Sequence, residues 1–191
     1  MEEQSIKFLE KLLKNWSNVE VRTVPKVMYQ VLCGKNDTDT GENSEYRFHW
    51  FMDCSETYIH NHQFSFQTYC LDGEYEEKVW ELKDDHNGGS TYKFPRISGN
   101  KFGQPVRIPG VLSCVKTNHH FSGNTLHVDR TQYHSISPKP QTNTEALTFV
   151  ARRRCSTAKE MGYVLNSSDI IEAPTEEIRV ATFEERLEGV G

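Results

Sequence analysis

Residues 57–82, TYIHNHQFSFQTYCLDGEYEEKVWEL, decide the fold. Three short segments rich in aromatic and β-branched residues follow one another here, at 57–62, 66–71 and 75–82. The last two are separated by Asp72-Gly73, and an Asp-Gly pair is typical of the tight turn between two antiparallel strands. The stretch therefore predicts three consecutive short strands.

Similar segments recur along the rest of the chain. Further strands are predicted at 19–21, 27–31, 46–52, 111–115, 125–128, 132–136, 146–152 and 163–165. Polar or Gly/Pro-rich stretches predict loops at 34–45, 83–91 and 95–110. One amphipathic helix is predicted near the N-terminus, from the helical spacing of Ile6, Leu9, Leu12, Leu13 and Trp16.

Many short strands without a series of long helices favour an all-β antiparallel barrel or sandwich. We divide the chain into an N-terminal helix at 1–18 packed on a β-barrel at 19–155, followed by a C-terminal extension at 156–191. Within the extension, the charged segment 182–187 fits a short helix.

Composition narrows the possible partners. The 191 residues include 22 Lys+Arg against 27 Asp+Glu, a net charge of −5, so no basic footprint for nucleic acid is present. No apolar run approaches the ~20 residues of a membrane helix, and the acidic start MEEQSIKFLEKLL does not resemble a signal peptide. Five widely spaced cysteines without a CxxC pair are typical of reduced thiols. We expect a cytoplasmic protein without nucleic-acid or membrane partners.

The His60-x-His62 pair is the clearest chemical signal. Residues i and i+2 of a strand point to the same side, so both imidazoles would face one interior. Imidazole nitrogens suit Fe, Zn, Cu or Ni. Such pairs also occur on ordinary surfaces, so the pair alone leaves a metal site and a plain strand face both open.

The residues around this pair resemble the first motif of the cupin family, G-x5-H-x-H-x3,4-E-x6-G. Here Cys54 stands at the first glycine position, and His60, His62 and Gly73 are in register. Phe66 occupies the glutamate position. The chain therefore keeps the two histidines and the second glycine of the motif, and lacks its first glycine and its carboxylate.

The second cupin motif, G-x5-P-x-G-x2-H-x3-N, is similar to the segment that begins at Gly123. His134 falls at the histidine position, whereas Asp129, Thr131 and Pro138 replace the proline, the inner glycine and the asparagine. The resemblance covers about 54–138. It implies a cupin-like jelly-roll β-barrel in which His60, His62 and His134 hold one divalent metal.

A three-histidine site without carboxylate resembles the thiol dioxygenases among the cupins. Their I-H-x-H segment, followed by L-x-G and an acidic residue, is similar to Ile59–His62 and Leu71–Glu74. Their distal histidine sits in a pattern similar to Tyr133–Ile136. This resemblance implies Fe(II), with Zn, Ni or Mn as alternatives, and oxidation by O2 of a small anionic substrate that is thiol- or enol-like. The family's substrate-binding arginine and cross-linked cysteine have no match here.

Several other residues are candidates for contact with the substrate. Tyr58 and Tyr133 are candidates for orienting it in catalysis, and Arg47, Arg153 and Gln67 for binding it. Gln67 is also a candidate oxygen ligand, and an expected apolar cavity is lined by Tyr58, Phe64, Phe66, Trp80 and Tyr133. For each, a plainer interpretation exists: the arginines are solvated or ion-paired, and Phe66 and Gln67 simply pack.

The other histidines and acidic residues favour structural interpretations. His49 fits an ordinary strand face, and His127 is kept as an alternative ligand or a support for one. The glutamates Glu74, Glu76 and Glu77 fit an exposed strand edge.

Two other classes of function stay open. One is a barrel that binds a metal or small ligand without turnover; the other is a metal-free cupin isomerase that uses a histidine as base. No P-loop, dinucleotide fingerprint or G-x-S-x-G is present. Barrels of this kind often pair through edge strands, so a homodimer is a further expectation.

Overall fold

A computed structural model of the chain describes residues 1–15, 19–24, 28–37, 43–51, 56–85, 89–98, 101–138, 146–154, 163–167 and 179–180. These residues form one helix, α1 (Glu2–Lys14). They also form the strands β1 (Val21–Val24), β2 (Met28–Asp37), β3 (Asn43–Phe51), β4 (Ile59–His60), β5 (Phe66–Asp72), β6 (Glu74–Lys83), β7 (Ser90–Ser98), β8 (Lys101–Phe102), β9 (Val106–Pro109), β10 (Val111–Phe121), β11 (Thr125–Val128), β12 (Tyr133–Pro138), β13 (Ala146–Arg154), β14 (Tyr163–Ser167) and β15 (Arg179–Val180).

The strands make two antiparallel sheets. One has the order β11-β5-β13-β3-β2-β1-β15, and the other β10-β6-β12-β4-β14-β7-β8, with β9 paired to β7. From β3 to β6, and again from β10 to β13, each successive strand crosses to the other sheet. Eight strands that alternate between two layers in this way form a jelly roll. The predicted all-β jelly-roll barrel is therefore confirmed.

Helix α1 packs on the outer face of the seven-stranded sheet, as predicted. Acidic residues in its first turn and lysines in its last turn match the helix dipole. Its apolar stripe buries Leu12 against Phe48 and Phe149, and the Phe8 ring stacks on Tyr46 at 4.6 Å. The barrel and the helix therefore share one apolar cluster. In the described part of the chain, no helix has the length and apolar character to cross a membrane.

Two smaller apolar clusters lie elsewhere in the barrel. One joins Phe51 to Cys70, Tyr75 and Ala146. The other, which we call the Phe66 cluster, consists of Phe66, Val128 and Val150 with Leu126 against it. The side chains of β5 alternate: Phe66, Thr68 and Cys70 are buried on the inner face, whereas Gln67 is exposed. This alternation separates the interior of the barrel from the face that carries α1.

The described cysteines are free thiols, as expected. Cys33 and Cys70 are buried and Cys114 is exposed. Burial raises the pKa of Cys33 to about 12, against weaker opposing effects from the Phe48 backbone and Lys11. Burial, helped by the charge of Asp72, raises the pKa of Cys70 to about 11. Both thiols are therefore protonated near neutral pH. Cys54 and Cys155 lie outside the described residues.

The prediction of an irregular loop over 95–110 is wrong, because this segment forms β-structure. Strands β7 and β9 pair with Tyr92 facing Arg107. Pro109 ends β9, where a missing N–H is tolerated. Gly110 then turns the chain into β10 with φ +108°, and a Cβ there would lie 2.6 Å from the Lys83 carbonyl oxygen. Pro109 thus ends a strand, whereas Pro95 lies within β7 and faces Tyr163 of β14.

The predicted extended piece at 163–165 is confirmed as part of β14. This strand lies between β4 and β7, and Val164 faces His60 in register. The segment that we assigned to a C-terminal extension thus adds a strand beside the first candidate ligand. The division at 18/19 and 155/156 stays a prediction, and the helix predicted at 182–187 lies outside the described residues.

Candidate metal centre

His60, His62 and His134 come together inside the barrel. His60 ends the short strand β4, and β4 pairs with β12 so that His134 faces His60 directly. The ring centroids lie 4.7 to 4.9 Å apart. One nitrogen from each ring lies within 4.8 Å of the other two. Two segments that are distant in the chain, with His62 and His134 separated by 72 positions, therefore supply one cluster.

Backbone and carboxylate partners fix two of these rings. Nδ1 of His60 lies 2.7 Å from the Tyr58 carbonyl oxygen, and Nδ1 of His134 lies 2.7 Å from Glu77 Oε1. A neutral imidazole that donates from Nδ1 keeps its lone pair on Nε2. The arrangement thus leaves the Nε2 atoms of His60 and His134 as electron-pair donors.

The third ring, that of His62, is within hydrogen-bond distance of His134. Nε2 of His62 lies 2.8 Å from Nε2 of His134. Because His134 already donates from Nδ1, the hydrogen bond requires His62 to donate and His134 to accept. A cation at this point would replace that shared proton, since a metal ligand must be deprotonated. Three converging imidazole nitrogens are a donor set that suits Fe, Zn, Cu or Ni, so the residues present fit a divalent metal.

Glu77 is the most deeply placed charged group at the site. Its side chain is fully buried and accepts hydrogen bonds from His134, from Gln132 Nε2 at 3.2 Å and from Asn118 Nδ2 at 2.9 Å. His120 Nε2 lies 3.6 Å from Glu77 Oε2. Burial alone would raise the pKa of Glu77, but the surrounding His120, His134 and Asn118 outweigh it and hold that pKa well below its usual range.

The prediction of an exposed strand edge for Glu74, Glu76 and Glu77 is wrong, because β6 lies between β10 and β12 and Glu77 is fully buried. The side chains of β6 alternate, and Tyr75 and Glu77 both point to the buried face. On the other face Glu76 lies 3.3 Å from His119, whose side chain is 60% exposed. A run of acidic residues suggested solvent, and only the alternation Tyr75-x-Glu77 signalled that one of them faces inward.

An apolar wall borders the histidines on one side. The Phe66 ring meets the His62 ring edge-on, with centroids 4.7 Å apart. Behind Phe66 lie Val128 and Val150, each 1% exposed. The residue at the cupin glutamate position thus packs against a candidate ligand.

The two candidate tyrosines lie differently with respect to the cluster. Tyr58 is 38% exposed and contributes its carbonyl oxygen to His60. Tyr133 precedes His134 on β12, and adjacent strand residues point to opposite faces. It pairs with Trp80, whose Nε1 donates to Ser135 Oγ at 2.8 Å. The predicted cavity lining is wrong for Trp80 and Tyr133, because both side chains lie on the face opposite His134. The orienting roles of the two tyrosines stay predictions.

The candidate substrate-binding residues belong to the seven-stranded sheet. Arg47 on β3 forms an ion pair with Glu45 and donates to Gln30 Oε1 at 3.2 Å. Gln67 is exposed on β5, paired with the exposed His127, so neither belongs to the group of three histidines. Arg153 lies on β13 opposite Ser44, and its side chain is outside the described part of the structure. Contact of these three residues with substrate stays a prediction.

Comparison by sequence finds no match to a protein-family model and none to a curated protein. Comparison by structure finds an RmlC-like cupin from Shewanella frigidimarina, 14% identical with a TM-score of 0.42, covering 74% of this chain and 88% of that one. It also finds the oxalate decarboxylase of Bacillus subtilis, 12% identical with a TM-score of 0.46, covering 78% of this chain and 30% of that one. A third is the hydroxypropylphosphonic acid epoxidase of S. wedmorenis, 11% identical with a TM-score of 0.42, covering 71% of this chain and 56% of that one.

This chain spans less than a third of the oxalate decarboxylase. The fold is defined by the strand order and by the place of the histidines in it. Four adjacent strands of each sheet, β11-β5-β13-β3 and β10-β6-β12-β4, form an eight-stranded jelly roll. Cupins are among the proteins built this way. The segments that resemble the two cupin motifs converge within this barrel on one group of three histidines. The chain therefore has a cupin-like jelly-roll fold.

Proposed function

We propose that this chain is a mononuclear metal-dependent cupin that oxidises a small anionic, thiol- or enol-like substrate with O2. In this proposal His60, His62 and His134 hold the metal, which is Fe(II). The observation that carries it is the convergence of three imidazole nitrogens within 4.8 Å, in the interior of the barrel.

The chemistry of the donor set supports an anionic substrate. Iron held here would supply redox reactivity toward O2 and a positive charge. The three imidazoles contribute no negative charge and Glu77 behind His134 contributes one, so a divalent ion here would keep a net positive charge that favours an anionic substrate. A three-histidine site also leaves positions open on one side, as in the 2-His-1-carboxylate sites of non-haem iron oxygenases.

The residues around the histidines support a protected site. Phe66, 7% exposed, covers one side of His62 with apolar surface. Glu77 and the Tyr58 carbonyl hold two rings in fixed orientation. An apolar shell limits access of water and influences redox potential, which suits oxidation of one bound substrate.

Metal analysis after anaerobic purification tests the metal site. We expect one divalent ion per chain in the wild type, and loss of the ion in His60→Ala, His62→Ala and His134→Ala. His119→Ala is the matched control, because His119 is 60% exposed on the edge strand β10. Retention of the ion by all three ligand variants would contradict the assignment.

Oxygen consumption with a panel of small thiols and enols then tests the activity. We expect uptake with at least one compound, lost in His134→Ala and kept in His119→Ala. A protein that binds metal but consumes no O2 with the panel supports the alternative of a non-catalytic metal- or ligand-binding cupin. A folded protein that binds no metal supports the metal-free isomerase. The cytoplasmic location and the homodimer stay predictions.

A further inference from the structure

Glu77 stands at the centre of a buried polar network that joins three strands. Its Oε1 accepts hydrogen bonds from Nδ1 of His134 and Nε2 of Gln132, and its Oε2 accepts one from Nδ2 of Asn118. His120 Nε2 lies 3.6 Å from the second oxygen. Strands β6, β10 and β12 thus each contribute to one carboxylate.

The groups that hydrogen-bond to this carboxylate are donors, so they require an acceptor at its position. The amide nitrogens of Gln132 and Asn118 can only donate. His120 is buried, its ring is tilted by 31° against Tyr75 with centroids 4.8 Å apart, and its Nε2 has no partner at hydrogen-bond distance among the described residues. A buried polar atom of this kind is costly unless a charge lies nearby, and the nearest charge is Glu77. The network is therefore built around a group that accepts on every side.

We infer that Glu77 is a positioning residue for metal binding: it accepts a hydrogen bond from Nδ1–H of His134 and so keeps the Nε2 lone pair of that ring directed at the metal. This inference rests on the proposed metal site and adds a residue that is not a ligand. Carboxylate partners of ligating histidines fix the tautomer and ring orientation, and their loss typically reduces metal affinity about 10- to 100-fold.

The test compares Glu77→Gln with Glu76→Gln. Both changes remove one negative charge from neighbouring positions on β6, but Glu76 points to the other face and lies beside the exposed His119. Affinity for Zn²⁺ and Co²⁺ is measured by competition with a chelator. We expect Glu77→Gln to bind each ion about 10- to 100-fold more weakly, and Glu76→Gln to bind within about twofold of the wild type.

The tautomer of His134 provides a readout that needs no metal. ¹⁵N NMR of the metal-free protein distinguishes Nδ1–H from Nε2–H. We expect Nδ1–H on His134 in the wild type and in Glu76→Gln, and a mixture of tautomers in Glu77→Gln, because an amide can present either its oxygen or its NH2 group to Nδ1. A merely structural role for Glu77 would not change this signal in a folded variant.

Glu77→Asp serves as a second variant if Glu77→Gln does not fold. It retains a charged hydrogen-bond acceptor on a side chain that is one methylene shorter. We expect it to fold, to keep Nδ1–H on His134 and to recover at least part of the affinity. Wild-type affinity and an unchanged His134 tautomer in a folded Glu77→Gln would overturn the inference. If the wild type binds no metal while the tautomer changes as expected, the proposed function fails and the positioning of His134 by Glu77 stands.

Discussion

At the residue scale, Phe66 connects the apolar interior to the histidine cluster. It is 7% exposed, its ring meets His62 edge-on, and it packs with Val128 and Val150. We expect Phe66→Ala to lower the free energy of unfolding by about 3–5 kcal/mol and to weaken metal binding, because the His62 ring loses its supporting wall. Urea unfolding and chelator competition measure the two effects. Phe121→Ala, at an aromatic residue that is 55% exposed, should change the unfolding free energy by less than ~0.5 kcal/mol.

Site residues could be predicted from the sequence where their spacing alone decides where the side chains point. The i, i+2 spacing predicted that His60 and His62 face the same way, and both rings join one cluster although β4 ends at His60. The resemblance to the second motif pointed to His134. Glu77 was missed because its burial depends on donors from two other strands, Asn118 on β10 and Gln132 before β12. No local pattern around Glu77 reveals those partners.

At the element scale, the two-residue strand β4 needs support from its neighbours. The segment before it is tied to β12 by two bonds between Thr57 and Ile136, at 2.8 and 2.9 Å. Ser135 Oγ donates to Glu56 and accepts from Trp80 Nε1, and Lys78 Nζ reaches the other oxygen of Glu56 at 2.7 Å. These bonds hold the backbone that leads into His60.

Ser135→Ala tests this support. The hydroxyl is part of a residue only 1% exposed, and its removal leaves the indole N–H of Trp80 without its acceptor. We expect the free energy of unfolding to fall by about 1–3 kcal/mol and the amides around β4 to exchange faster with deuterium. Ser122→Ala removes an exposed hydroxyl bond to the Leu71 carbonyl and should have a smaller effect. Equal effects of the two changes would contradict a special role for the Ser135 bonds.

Elements were harder to predict where proline and glycine occur within β-structure. Residues 95–110 read as a loop, yet the end of β7 pairs with β8 there, and β9 pairs back with the start of β7. Strand β14 pairs with the other edge of β7. Pairing between β14 and β7 joins segments that are far apart in the chain, and no local signal carries such a contact. By contrast β5 and β6 were predicted within two residues of their ends, because a tight Asp-Gly turn sets both strands locally.

At the scale of the whole molecule, the seven-stranded sheet separates two apolar regions. The helix packs on its outer face around Leu12, Phe48 and Phe149, whereas the Phe66 cluster lies on the side of the histidines. Stability and metal binding should therefore respond separately to changes on the two faces.

Leu12→Ala tests that separation against its neighbour Leu13→Ala. Leu12 is 6% exposed and Leu13 is 64% exposed, so the same truncation removes a buried side chain in one case and an exposed one in the other. We expect Leu12→Ala to lower the free energy of unfolding by about 2–5 kcal/mol and Leu13→Ala to change it by less than ~0.5 kcal/mol. Under conditions where both proteins are folded, chelator competition should give the wild-type metal affinity for each. Weaker metal binding in folded Leu12→Ala would show that helix packing reaches the histidines through the sheet, and that the two faces form one coupled unit.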